Sequence, residues 1–264
     1  MNDFNFHRPK TVADAAAALE AAEEGKLLGG GQSLLPVMKL DMAQPTDLVS
    51  LAGVEELRGI REDGDSIVVG ASSTHADVET SDLVKTKIPA LAALAGRIGD
   101  AQVRNRGTLG GSIAHADPAA DYPAAVLALG ATVVTNRREI AADDYFKGLF
   151  ETALDEGEIV VAAKFPVPKR AAYAKFPSPA SKFAVVGVMV AETASGVRVA
   201  VTGAGECAFR VADMETALGG NFAAEALDGI SVPSDELNSD TDASPEFRAH
   251  LVGVMARRAV AAAG

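Results

Sequence analysis

Two glycine-rich segments about eighty residues apart carry the residue types best suited to chemistry in this chain. The first is Gly29-Gly30-Gly31-Gln32-Ser33, running on into Leu34. The second is Gly107-Thr108-Leu109-Gly110-Gly111-Ser112, followed closely by His115, Asp117 and Asp121. Glycine reaches positive φ without strain and lacks the Cβ that would hold a ligand off the backbone. Successive N–H groups in such a turn converge into a concavity that binds anions. Two turns of this kind, each beside a serine, would grip a diphosphate from both sides, which suits a dinucleotide. The competing reading is a pair of tight connections; the paired serines and downstream aspartates count against it.

Other chemistries are less well supplied. Neither segment has the Gly-x-Gly-x-x-Gly spacing, which would need glycine at Leu34, and no Gly-Lys-Ser/Thr phosphate loop is present. His115, Asp117 and Asp121 lack an evident third nitrogen or sulfur ligand for a metal. No serine, histidine and aspartate form a recognisable nucleophilic triad. Arg104 and Arg106 serve either a phosphate, a partner surface or plain ion pairs. Cys207 is the only cysteine, so no disulfide forms within the chain and no cysteine-ligated iron–sulfur cluster can be built from it alone. It reads as a small packed side chain.

The 264 residues are enough for one large domain or two to three small ones, and 48% hydrophobic with 23% charged residues is ordinary for a globular protein. A formal charge of −12 argues against nucleic acid or an anionic membrane as main partner. A phosphate must then be held by local N–H groups. The segment Met1 to Arg8 shows no basic lead with an apolar core, and no apolar run is long enough to span a bilayer. The expected location is the cytoplasm.

The elements that would position the glycine segments can be read from capping and periodicity. Thr11 to Glu24 predicts an alanine-rich helix capped by Thr11 and stopped at Gly25. Lys26-Leu27-Leu28 is a short strand feeding the first segment, and Asp47–Leu51 and Ser66–Gly70 are two more. Helices over Pro89–Ile98 and Tyr122–Leu129 bracket the second segment. Ala131–Thr135 and Glu158–Phe165 are strands by their β-branched content. Pro166 to Pro179 holds four of the twelve prolines and reads as a boundary. Beyond it Phe183–Ala191 and Val197–Thr202 pair as strands, and a helix starts at Ser244 with Phe247, Leu251, Val254, Met255 and Arg258 in one stripe.

The stretches Gly30-Gly31-Gln32-Ser33-Leu34-Leu35-Pro36-x-Met38-Lys39-Leu40 and Arg104-Asn105-Arg106-Gly107-Thr108-Leu109-Gly110-Gly111-Ser112-x-Ala114-His115-Ala116-Asp117-Pro118-Ala119-Ala120-Asp121 resemble the FAD-binding medium subunits of molybdenum hydroxylases, those of carbon monoxide dehydrogenase above all. Phe6-His7-Arg8-Pro9 and Ala180–Val188 extend the likeness over essentially the whole chain. The resemblance implies an α+β protein with the vanillyl-alcohol-oxidase-like FAD-binding fold. Two α/β subdomains (1–55 and 56–168) would clasp the cofactor, and a C-terminal domain (169–264) with an antiparallel sheet and helices would cover the ring end. It further implies noncovalent FAD, with Gly29, Gly30, Gly31, Gln32 and Ser33 on the pyrophosphate beside Thr108, Leu109, Gly110, Gly111 and Ser112. Leu34 and Asp117 join the cofactor-binding set. Asp121 would accept a hydrogen bond from a flavin or sugar hydroxyl, and Lys182 and Phe183 would lie near the isoalloxazine.

Gly29 stands where the family often has alanine, Gln32 where it often has histidine and Leu109 where it has isoleucine; all are mild departures. Ser178-Pro179 stands where some relatives carry basic residues. The implied activity is electron relay, with no catalytic residue on this chain. The implied partners are a small subunit carrying [2Fe-2S] clusters and a large subunit carrying the molybdenum cofactor, as a dimer of heterotrimers. A free-standing FAD oxidoreductase with its own substrate site is the alternative, and a scaffold that has lost its flavin a third.

Overall fold

A computed structural model describes residues 3–264; Met1 and Asn2, the start of the segment read for a leader, lie outside it. Three larger sheets follow one another along the chain, with a two-stranded hairpin between the strands of the second, and each larger sheet or its turns supplies part of one cavity.

The first sheet is parallel, with β1 (Asn5–His7) and β2 (Gly25–Leu28) on either side of β3 (Asp47–Ser50). Helix α1 (Val12–Glu20) crosses over between β1 and β2. Thr11 caps it as the sequence predicts, accepting from the Asp14 N–H at 3.0 Å. The helix ends four residues short of Glu24, and Gly25 is the first residue of β2 instead of the stop. The reason is packing: a Cβ at Gly25 would lie 2.8 Å from Leu19 Cδ1 and 2.9 Å from Ala22 Cβ. After β2 the chain turns through Gly29–Ser33 into α2 (Leu34–Lys39), which tolerates Pro36 within its first turn.

The second sheet is antiparallel. It runs β4 (Ile60–Asp63), β5 (Ser66–Gly70), then β10 (Val160–Pro166), β6 (Thr132–Thr135) and β7 (Glu139–Ala141) in spatial order. Between β5 and β6 come α3 (His75–Thr80), α4 (Asp82–Lys87), α5 (Pro89–Ala95), α6 (Ala101–Arg104), α7 (Leu109–His115) and α8 (Tyr122–Ala128). Between β7 and β10 come α9 (Ala142–Tyr145) and the small hairpin of β8 (Phe146–Gly148) and β9 (Glu151–Thr152). Leu91, Leu94, Leu109, Ile113, Val126 and Phe165 are fully buried in the main core.

The third sheet is an antiparallel run of β11 (Arg170–Pro177), β12 (Ala184–Thr193), β13 (Gly196–Thr202) and β14 (Phe209–Arg210). Strand β11 occupies the proline-rich stretch that the sequence suggests is a boundary. Its prolines flank the strand or end it, and β11 is an edge strand, where a missing N–H is tolerated. Helix α10 (Ala212–Gly220) and the long α11 (Pro245–Ala263) cover one face. The inward face of α11 is Arg248, Leu251, Val252, Met255, Ala256, Ala259 and Val260. This differs from the predicted stripe: Leu251 and Met255 are buried, but Phe247 is 42% exposed and Arg258 faces solvent. The architecture is α+β, as expected. Among the described residues no helix is long and apolar enough to cross a membrane.

Candidate functional site

The three sheets meet around a cavity of about 530 Å³, a size that suits a small-molecule or cofactor site. Its wall includes Gly29, Gly30, Gly31, Gln32, Ser33 and Leu34 from the β2–α2 turn, and Thr108, Gly110, Gly111 and Ser112 from the start of α7. Asp117, Asp121, Lys182 and Phe183 complete the predicted residues that line it. Leu109 is the exception: its side chain is fully buried in the main core and does not reach the cavity.

The two glycine segments do different work. In the first, the N–H groups from Gly30 to Ser33 have no protein acceptor among the described residues. Gly31 sits at φ 75°, a conformation that favours glycine. This turn has the free donors an anion needs. The second segment is the beginning of a helix rather than a loop. Thr108 caps it, its Oγ1 accepting from the Gly111 N–H at 3.1 Å. Leu109 N–H donates to Ser73 O at 3.0 Å, Gly110 N–H to Ala71 O at 2.9 Å and Ser112 N–H to Thr108 O at 3.0 Å. The N–H groups of residues 109–112 are thus spent on the protein itself.

What the second segment contributes is closeness. A Cβ at Gly110 would lie 2.5 Å from Ala71 Cβ, which lets α7 sit directly on the end of β5. A Cβ at Gly30 would lie 2.0 Å from Arg106 O, so the two segments touch backbone to backbone. Gly29 and Gly111 face each other across Thr108: a Cβ on either would meet Thr108 Oγ1, at 3.1 and 2.9 Å. Removing side chains at these points leaves a channel that a Cβ would narrow, beside donors that are unspent. That arrangement fits the diphosphate of a dinucleotide.

The β11–β12 turn delivers Ser181, Lys182 and Phe183 to the cavity wall. Lys182 takes φ 66°, and Phe183 is 46% exposed. Asp117 accepts from the Ala119 N–H at 2.8 Å and shapes the loop that leads to Asp121. Asp121 is buried, with Tyr173 and Lys175 donating to its carboxylate.

The wall also holds residues that sequence reasoning passed over. Glu158 is one: its side chain is fully buried, and it accepts from Arg138 Nε and Nη2 at 3.0 and 2.9 Å, Thr135 Oγ1 at 2.6 Å and the Asp155 N–H at 2.8 Å. The Arg138 bonds, against the cost of burial, bring its carboxyl down to about 2. His75 is another. It is 5% exposed, its Nδ1 has no hydrogen-bond partner, and its ring meets Tyr122 at 5.3 Å. Burial, then the nearby Arg104 charge, lowers its pKa to about 4, so the imidazole is neutral at ordinary pH. In sequence His75 lies inside a capping box of Thr74 and Asp77 and looks like any first-turn residue; only Gly107, whose Cβ would lie 2.5 Å from His75 Nε2, hints at it.

Arg104 is an ion-pair residue, 2.8 Å from Glu79. Arg106 lines a second cavity of about 470 Å³ beside Gly29 and Gly30. The His115 ring meets Phe150 at 5.0 Å. Cys207 is free and half-buried, and burial pushes its thiol up.

Two sheet-based units that meet at a glycine-lined channel, with the β11–β12 turn completing its wall, fit a protein that binds a dinucleotide cofactor. Comparison with known proteins makes this specific. Residues 2–168 match the model of the FAD-binding domain in molybdopterin dehydrogenase. The chain is 37% identical to the carbon monoxide dehydrogenase medium chain of Hydrogenophaga pseudoflava, over 98% of this chain and 96% of that one. It is 38% identical to the nicotine 6-hydroxylase medium subunit of Paenarthrobacter nicotinovorans, with the same coverage of 98% and 96%. The solved carbon monoxide dehydrogenase of H. pseudoflava superposes with a TM-score of 0.90 at 36% identity, covering 99% of this chain and 97% of its counterpart. Quinoline 2-oxidoreductase of Pseudomonas putida 86 gives 0.88 at 28% identity, with the same coverage of 99% and 97%. The chain belongs to the FAD-binding domain family of molybdopterin dehydrogenases, as a flavoprotein subunit of the molybdenum-hydroxylase type.

Proposed function

We propose that the chain holds one FAD noncovalently in the 530 Å³ cavity and relays electrons within a cytoplasmic, three-subunit molybdenum hydroxylase. The observation that carries this is the pairing of unspent N–H donors at Gly30–Ser33 with side-chain-free backbone at Gly29 and Gly111. On this reading Gly30–Ser33 hold the pyrophosphate, Thr108, Gly110 and Gly111 let it approach, and Ser112 adds a hydroxyl. Asp121 accepts from a hydroxyl of the cofactor, and Phe183 lies against the ring with Lys182 beside it. Bound FAD supplies the chemistry of exchanging electrons singly or in pairs, while the protein supplies position and electrostatics.

The chain holds a single cysteine, so the iron–sulfur clusters and the molybdenum cofactor are assigned to a small and a large partner subunit, two copies of each trio forming the assembly. Relatives named as medium chains support that division. The substrate is chosen by the large subunit: carbon monoxide, an aldehyde and a nitrogen heterocycle are the candidate classes. The three parts of the chain are proposed to divide at 1–55, 56–168 and 169–264.

The test uses the isolated chain and the reconstituted complex. The isolated chain is expected to release stoichiometric FAD on heating, to accept electrons from a chemical reductant, and to leave every candidate substrate untouched. Adding the two partner chains restores substrate-driven bleaching of the flavin. Bleaching by substrate with this chain alone, at about 1–1000 per second, would overturn the relay reading in favour of a free-standing oxidase or dehydrogenase.

A further inference from the structure

Arg104 and Arg106 flank Asn105, and the fold treats them differently. Arg104 is spent: it lies 2.8 Å from Glu79 and donates to Ile98 O at 3.2 Å. Arg106 is exposed, and its guanidinium has no ion-pair or hydrogen-bond partner among the described residues. An unpaired surface arginine is ordinary in itself. What distinguishes this one is the cavity it lines, about 470 Å³ in volume and so within the range of small-molecule pockets.

A second cation lines the same cavity. Arg58 donates through Nη2 to Ala52 O at 2.6 Å, and its one ion-pair partner, Glu55, is 3.9 Å away on a side chain 84% exposed. Much of its guanidinium therefore remains available. The one carboxylate in the lining, Asp77, is engaged in the capping box, accepting from the Thr74 N–H at 2.8 Å. Neutral donors are also present. The Gly59 N–H has no protein acceptor among the described residues, and a Cβ at Gly59, which takes φ 93°, would meet nothing within 4 Å. Asn105 gives one amide N–H to Ala101 O at 2.7 Å and keeps another.

This cavity is built differently from the first. Gly29, Gly30, Ser72 and Thr108 are common to both walls, but the whole lining of the second lies within residues 29–108. The first depends on the third sheet as well. Gly203 N–H and Thr202 Oγ1 donate to Pro118 O at 2.7 and 2.9 Å, Ala184 N–H to Ala119 O at 3.2 Å, and Thr202 Oγ1 to Ala120 O at 2.6 Å. The second cavity takes no residue from that sheet.

We propose that the second cavity is a binding site for a phosphate-bearing small molecule, its phosphate held by the guanidinium groups of Arg106 and Arg58. A guanidinium presents paired N–H donors that match two oxygens of one phosphate. Two arginines against one carboxylate that is already bonded favour a dianion over a singly charged carboxylate, and the remaining volume takes the organic group. The site is separate from the cofactor cavity and does not depend on what that cavity holds.

The experiment loads the full chain with FAD, which fills the first cavity, and titrates it by calorimetry with inorganic phosphate and with AMP at fixed ionic strength. One saturable site is expected for each, with Kd about 1 mM or tighter, and AMP binding at least as tightly as phosphate. Arg106→Ala should weaken both by about tenfold or more, the loss of charge-assisted bonds to phosphate, and Arg58→Ala by a similar factor. Arg106→Lys, which keeps the charge and loses the fork, should fall between. Both arginines are exposed, so these variants leave the fold and the FAD content unchanged. No saturable binding below about 20 mM, or equal affinities in wild type and Arg106→Ala, would overturn the proposal; exclusion of AMP would overturn the organic ligand. Binding confined to the FAD-free chain and displaced by FAD would also overturn it, since the anion would then sit in the cofactor cavity. A chain that takes up no FAD would sink the FAD reading alone, because the dependence on Arg106 can be read on that chain directly.

Discussion

At Gly111 an added Cβ would meet one atom, Thr108 Oγ1 at 2.9 Å; at Gly30 and Gly110 it would run into backbone of Arg106 and Ala71. Residue 111 also lies within helix α7 and away from positive φ, so it admits a side chain without backbone strain. Gly111→Val is therefore a perturbation of the cavity rather than of the fold. Disturbing the Thr108 cap costs about 1 kcal/mol, and replacing a helical glycine returns about 0.5 kcal/mol. The melting temperature should move by no more than about 2–4 °C for a chain of this size. The valine methyls, by contrast, enter the channel between Gly29 and Gly111. Displacing a diphosphate from the donors of Gly30–Ser33 by even an ångström forfeits charge-assisted bonds worth about 3 kcal/mol together, or about a hundredfold in Kd. Circular dichroism and thermal melts check the fold, and visible absorbance with calorimetric FAD titration checks binding. Ser112→Ala is the graded control, losing about 1 kcal/mol for one side-chain bond. A folded Gly111→Val protein with wild-type FAD affinity would refute the placement of the diphosphate at this point.

Two further outcomes follow from buried titratable groups. The Glu158 carboxyl lies near 2 in the fold against an ordinary 4.5. Its contribution is thus complete above about pH 4.5 and lost as pH falls toward 2, roughly 3 kcal/mol in all; Glu158→Gln should flatten acid melting curves over that window, and unchanged curves would contradict it. For His75 the fold disfavours the proton, lowering the value from 6.5 to about 4. Stability from it is complete above about pH 6.5 and declines as pH falls to 4, so His75→Gln should reduce the slope of melting temperature against pH between those limits.

The elements with local signals were legible in the sequence. Thr11 with Asp14 caps α1, and the β-branched runs at residues 132–135 and 196–202 are strands as expected. Elements decided by tertiary contact were not. Thr108 to Ser112 has two glycines and looks like a loop, yet Thr108 as cap and the seat on Ala71 make it a helix. Arg170–Pro177 lies in the proline-rich stretch read as a boundary and shows no strand signal there, yet it is a strand whose alternating side chains include Tyr173 and Lys175, which bind Asp121 across the molecule. The same limit applies to the site. Glycine spacing pointed to the channel, because close approach needs glycine itself. Glu158 and His75 were missed because their burial depends on partners 20 or more residues away, as with Arg138 at a separation of 20.

The bonds from β12 and β13 to Pro118, Ala119 and Ala120 bear on how this protein can be divided. The recognisable sequence module stops at residue 168, but the wall of its own cavity is completed by strands that lie beyond it. A fragment cut at that point would keep both glycine segments and lose the donors that fix residues 118–121. Inheritance by sequence and competence to hold a ligand therefore have different boundaries here. A graft of this site onto another scaffold would have to carry the C-terminal sheet with it.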